Sequence, residues 1–170
     1  MAPLAMLNNL PRPDAERELR RCCGSARWAA TVAGARPFGT LADLLAAAER
    51  AFDGLDRDDW LEAFAHHPRI GERGADHARL AATAAWSAAE QSAMAGAAED
   101  LRRRLAEANL AYERRFGHVF LIRAAGRSPA EMLAALERRL ANDPSTELGI
   151  AAAEQRQITR LRLERLVRDP

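Results

Sequence analysis

The sequence predicts an all-α protein, a single compact domain of six to eight helices, and three observations support this. Alanine is abundant while aromatic residues supply only 5% of 170 positions, a balance that favours helix over strand. Apolar residues recur at three- and four-residue spacing along most of the chain, the period of a helix with one buried face. Ser or Thr stands three positions ahead of an acidic residue at Thr40/Asp43, Ser87/Glu90 and Ser128/Glu131, each pair placed just before such a stripe. A chain of this length folding as one domain buries roughly 70% of its unfolded surface, enough for a sizeable core.

Taken in order, residues 1–13 hold three prolines and no period, which predicts a lead-in whose Leu7 to Leu10 segment lies against the body, with the domain proper spanning 14–170. Regular structure is expected from Asp14, with Ala15, Leu19, Cys22 and Cys23 on one face, and Gly24-Ser25 as a stop followed by a new cap. A short helix then carries Trp28 and Val32 toward Arg36-Pro37. Thr40 caps the next, whose stripe is Leu41, Leu44, Leu45, Ala48 and Phe52, and Gly54 ends it. Asp56 to His66 begins with acidic residues suited to a helix N-terminus and turns Trp60, Leu61 and Phe64 inward; Pro68 stops it, because the residue before a proline is pushed out of the helical region.

Residues 68–85 read as a loop with scattered charge and room for a short helix. A long helix is expected from Ser87 to about Phe116, burying Met94, Leu101, Leu105, Ala108 and Tyr112, with Gly117 as its C-cap. Val119 to Ile122 is strand-like but without a partner strand, hence a buried extended link. Ser128-Pro129-Ala130-Glu131 combines a cap, proline at the first helical position and an acidic third residue, and leads into Met132, Leu133, Leu136 and Leu140. A final helix is expected from about Ser145 to Arg168.

Composition narrows the chemistry. Net charge is +1, which gives no overall attraction to nucleic acid or acidic membranes. All 25 basic residues are arginine, and without lysine there is no Schiff-base enzyme, lysine-linked pyridoxal phosphate or ordinary P-loop. The adjacent Cys22 and Cys23 provide neither metal-ligand spacing nor a disulfide framework. With no long apolar run and no signal-peptide pattern, the expectation is a cytoplasmic protein.

Three groups of residues could carry chemistry. In His66-His67-Pro68-Arg69-Ile70-Gly71, His67 falls seven residues after Trp60 and three after Phe64 and so extends the inward face, whereas His66 aligns with Asp59 and Glu62 on the polar side. At a helix C-terminus the helix dipole favours imidazolium, suited to proton donation. A buried capping histidine fits the same pattern, and a metal site would have to recruit His66, His67, His77 and Asp76, although the first two diverge. In Ser87-Ala88-Ala89-Glu90-Gln91 a plain capping box is sufficient, yet Glu90 and Gln91 also occupy the buried stripe, where a carboxylate acquires a raised pKa unless it is paired. Of Arg156, Arg160, Arg162, Arg165 and Arg168, most read as a solvated face, interrupted by Glu154 and Glu164, but Arg162 lies on the Ile158–Leu166 row and leans inward, where a guanidinium could clamp a carboxylate.

Read together, Cys22-Cys23-Gly24-Ser25-x-x-Trp28, Arg36-Pro37-Phe38, Asp59-Trp60-Leu61-x-Ala63-Phe64, His67-Pro68-Arg69-Ile70-Gly71, Trp86-Ser87-x-x-Glu90-Gln91, Asn109-x-x-Tyr112-x-x-x-Phe116-Gly117 and Gly126-Arg127-Ser128 resemble the OHCU (2-oxo-4-hydroxy-4-carboxy-5-ureidoimidazoline) decarboxylase family, in order from about Leu7 to Val167. The resemblance implies an all-helical fold, no cofactor, a homodimer, and conversion of OHCU to (S)-allantoin in urate degradation; from the charge balance and the histidine spacing, no nucleic-acid or membrane partner and no metal are expected. Carried over by position, His67 matches the proton-donating histidine and Glu90 its partner carboxylate. Pro68, Ser87, Gln91, the backbone of Phe120-Leu121-Ile122-Arg123-Ala124, and Arg162 rather than Arg160 match substrate-binding positions. The chain departs from the family pattern at His118, where an apolar or aromatic residue is common, at Arg123, where a small or thiol side chain is usual, and at His66, where alanine is frequent. A helical interaction module and an arginine-faced nucleic-acid binder are the competing readings; both leave the inward His67 and Glu90 unused.

Overall fold

The computed structural model describes residues 3–70 and 99–168. Among the described residues are eight helices and no strand: α1 Pro3–Asn9, α2 Arg12–Cys22, α3 Ala26–Gly34, α4 Leu41–Phe52, α5 Arg57–Phe64, α6 Glu99–Phe116, α7 Pro129–Arg139 and α8 Pro144–Leu166. The all-α expectation therefore holds. Contacts group into two compact units, one of residues up to 63 with those from 156 onward, the other of residues 64–155.

In the first unit, α2 packs on α3 and α3 on α4. Ser25 caps α3 by accepting from Trp28 N–H, and Thr40 and Asp43 form both halves of a capping box on α4. The face α4 buries is Leu44, Ala47, Ala48, Ala51 and Phe52, with Leu41 and Leu45 only half-buried. Trp28 donates its indole N–H to Ala48 O at 3.1 Å and stacks on Phe52, which stacks on Trp60 at 5.3 Å between centroids.

The lead-in differs from expectation, since α1 lies within it and α2 begins at Arg12 rather than Asp14. The cause is tertiary. Arg36 donates to Leu7 O and Leu10 O, both at 2.8 Å, taking up carbonyls that a short helix leaves orphaned. Asn8 donates to Phe38 O and accepts from Phe38 N–H, and Leu7 is buried.

In the second unit, α6 packs on α7 around Leu105, Tyr112, Phe116, Met132, Leu133 and Leu136. Gly117, at φ +77°, ends α6 with its N–H on Glu113 O, a left-handed cap that favours glycine. Residues 119–124 form neither helix nor strand, and Phe120, Leu121, Ile122 and Ala124 are buried, as expected of a buried link without a strand partner. Gly126, also at φ +77°, turns the chain toward Ser128, whose capping box with Glu131 starts α7. The expected start of the long helix at Ser87 lies outside the described residues.

Candidate active site

His67 stands just past the C-terminus of α5. That helix ends at Phe64, two residues earlier than expected, because Pro68 already constrains its predecessor and the chain leaves through a turn closed by His67 N–H to Phe64 O at 3.0 Å. His67 is buried and His66 is half-buried, in line with their predicted faces. The segment after His67 is pinned by α6 at two points. Arg69 makes a bidentate pair with Glu113, at 2.5 and 2.9 Å, and Asn109 donates to Ile70 O at 3.0 Å. These contacts give Arg69 and Asn109 a structural task, and Pro68 is held half-buried between His67 and the pinned Arg69.

The His67 ring meets α8. Its Nε2 lies 2.8 Å from Oε1 of Gln155, a residue with no exposed surface. An amide oxygen only accepts, so Nε2 donates and carries the hydrogen.

The 120–124 backbone is held from two sides. Glu154 accepts Arg123 N–H at 2.7 Å, and Arg139 donates to Leu121 O at 2.6 Å while its guanidinium sits 4.5 Å above the Phe120 ring. Arg139 is in turn paired with Glu147 at 2.6 Å, and that carboxylate, wholly buried, also accepts from Asn142 and from the Tyr112 hydroxyl. Burial first, then the bond to Glu147, pushes the Tyr112 phenol well above its ordinary pKa. Of the positions departing from the family pattern, His118 finds a local explanation. His118 packs as an aromatic ring against Phe64 at 5.0 Å and Tyr112 at 5.5 Å, its Nδ1–H donating to Val119 O. Arg123 is half-buried, and its Nε is buried without a hydrogen-bond acceptor.

In the other unit, Arg162 is 1% exposed, whereas Arg160 is exposed and paired with Glu164. Of the two, Arg162 is thus the buried guanidinium, in the direction its helical row predicts. Arg156 is paired with Glu49 and Asp53 and lies over Phe52. Cys22 and Cys23 are fully buried, and burial pushes the Cys23 thiol up to about 12 and raises Cys22 as well, with the Arg162 charge opposing both shifts. Ser87, Glu90 and Gln91 lie outside the described residues, as do Asp76 and His77. Among the described residues no three His, Cys, Asp or Glu side chains converge as a metal site requires, and no helix is long and apolar enough to cross a membrane.

A family profile described as OHCU decarboxylase matches residues 8–164. The chain belongs to the OHCU decarboxylase family. That family is one of carboxy-lyases. Its members similar to this chain include a 2-oxo-4-hydroxy-4-carboxy-5-ureidoimidazoline decarboxylase of Bos taurus, 36% identical over 82% of this chain and 81% of its own length. Another of the same name, from Haloferax volcanii, is 32% identical over 80% of this chain and 79% of its own. The uric acid degradation bifunctional protein TTL of Arabidopsis thaliana is 39% identical over 91% of this chain, which spans only 48% of the plant protein's length. Among solved structures, an OHCU decarboxylase crystallised in the presence of (S)-allantoin superposes with a TM-score of 0.76 at 36% identity, covering 89% of this chain and 98% of that one. An (S)-allantoin synthase, 19% identical and covering 96% of this chain and 53% of that one, shares the OHCU decarboxylase fold with a TM-score of 0.71.

Sequence reading missed the polar residues that hold this family's motif segments in place. Gln155 falls on a row with Thr159 and Arg162, all buried, but an apolar-stripe search marks Ile158 and Leu166 and passes over a polar row. Glu147 looked like an ordinary acidic residue in a helix's first turn, and Arg139 like one more basic residue in a last turn. Asn109 and Tyr112 did stand in the recognised motif, though their tasks, holding Ile70 O and Glu147, required coordinates.

Proposed function

We propose that this chain decarboxylates OHCU to (S)-allantoin in urate degradation, with His67 as proton donor and Glu90 as its partner carboxylate. Membership of the family supports decarboxylation. The observation that carries the finer reading is the buried His67 imidazole, fixed in orientation by Gln155 just beyond a helix C-terminus.

The chemistry asks little of the protein beyond binding and one proton. When the C–C bond to the carboxylate breaks, carbon dioxide leaves and the electron pair stays with the ring carbon, where the adjacent imidazoline system delocalises it. The substrate is thus its own electron sink. The enzyme's tasks are to hold the ring through the 120–124 backbone, Pro68, Ser87 and Gln91, to orient the leaving carboxylate with Arg162, and to deliver the proton from His67 to one face. Delivery to one face yields one enantiomer. The same proposal includes a cytoplasmic homodimer acting on a small molecule without nucleic acid or membrane. The ion pairs of Arg156 and Arg160 with Glu49, Asp53 and Glu164 support leaving nucleic acid out, since those guanidiniums already face carboxylates.

The test is to generate OHCU from urate with a urate oxidase and a 5-hydroxyisourate hydrolase, then follow circular dichroism with and without the protein. Rapid growth of a signal from a single allantoin enantiomer is expected; unchanged spontaneous decay to racemic product would refute the proposal.

A further inference from the structure

The His67 ring is hydrogen-bonded to α8 through an uncharged amide, and the choice of an amide has chemical consequences. We propose that Gln155 is a positioning residue for the reaction: by accepting the Nε2 hydrogen it holds the ring in one tautomer, so that Nδ1 is the nitrogen that carries and delivers the proton. This rests on the reading of His67 as the proton donor.

The geometry is direct. The 2.8 Å separation is that of a well-formed hydrogen bond, and Gln155 has no exposed surface from which water could compete. The oxygen accepts from Nε2–H whether the ring is neutral or protonated, so the contact survives proton transfer and the ring need not turn over. A glutamate at this position would bind the imidazolium more tightly than the neutral ring and make it a weaker acid. A neutral acceptor orients the ring without adding a second carboxylate to the proposed Glu90, which suits a group that must give its proton away. The adjacent Glu154 accepts Arg123 N–H at 2.7 Å. Two consecutive residues of α8 thus fix the ring proposed to donate the proton and the backbone proposed to hold the substrate.

The tautomer can be read without turnover. With histidine ring nitrogens labelled with ¹⁵N, the sequence contains four histidines, and the His67 resonances are those lost in His67→Asn. At a pH where the ring is neutral, the full chain should show Nε2 protonated and Nδ1 bare. Gln155→Leu should lose that preference and lower kcat about 10²-fold, the scale of a misplaced reacting group, while KM changes little. Gln155→Glu, which keeps an acceptor oxygen, should restore the Nε2–H tautomer. An Nδ1–H tautomer in the unmodified chain overturns the inference, as does Gln155→Leu with kcat or tautomer unchanged. If Gln155→Leu does not fold, the ring of the unmodified chain decides. An active His67→Asn variant would instead overturn the proposed function, so the two failures are distinguishable.

Discussion

Replacing Glu147 by alanine should be among the most destabilising single changes in the second unit. The variant leaves Arg139, whose side chain is 10% exposed, without the carboxylate now 2.6 Å away, and removing one partner of a buried pair costs about 3–5 kcal/mol. Arg139 keeps its bond to Leu121 O and its place over Phe120, which pulls the cost toward the lower end. Tyr112 and Asn142 each lose an acceptor as well, worth about 1 kcal/mol apiece, which brings it to about 5 kcal/mol. At roughly 2–4 °C per kcal/mol for a chain of this size, the melting temperature should fall by about 10–20 °C. Urea denaturation followed by far-UV circular dichroism measures the difference. The double variant Arg139→Met with Glu147→Leu removes both charges and should lie closer to the parent than Glu147→Ala alone. A Glu147→Ala protein within about 1 kcal/mol of the parent would refute this account of the network.

Three further outcomes follow from the geometry. Tyr112 is the only tyrosine, and its native pKa lies above the usual 10.0, so the folded state holds the phenolic proton more tightly than the unfolded chain. Its contribution to stability is therefore whole below about pH 10 and is lost as pH rises above that value. Tyrosinate absorbance should appear only together with unfolding, and a free phenol titrating in the native protein near its ordinary value would contradict the burial. Both cysteines should resist an aromatic disulfide reagent at neutral pH in the native state and react fully in denaturant, because burial keeps them as thiols; rapid native labelling would count against it. Ser128→Ala removes the acceptor for Glu131 N–H at the start of α7 and should cost about 1 kcal/mol by denaturant titration, with no loss meaning that the cap is dispensable.

Local signals carried most of the fold. The caps at Ser25, Thr40 and Ser128, the stop at Gly117 and the buried link through Ile122 all act within a few residues of where they are read, and the structure has each of them. What could not be read was set by distant partners. Helix α1 forms where prolines suggested none because Arg36, far along the chain, takes its carbonyls. The site divides in the same way. The inward direction of His67 and Arg162 follows from helical spacing, whereas Gln155, 88 residues from His67, shows its task only when the chain is folded. Arg139 and Glu147 are likewise ordinary surface residues to a pattern search, since no period marks a charge that is buried because it is paired.

The most direct test concerns His67 itself. His67→Asn keeps a side chain that can hydrogen-bond to Gln155 but cannot carry a proton near neutral pH, so the helical circular dichroism should match the parent protein. Given OHCU freshly made from urate, the account predicts that this variant forms (S)-allantoin no faster than the uncatalysed reaction. A folded His67→Asn protein that produces the single enantiomer at the parent rate would contradict it.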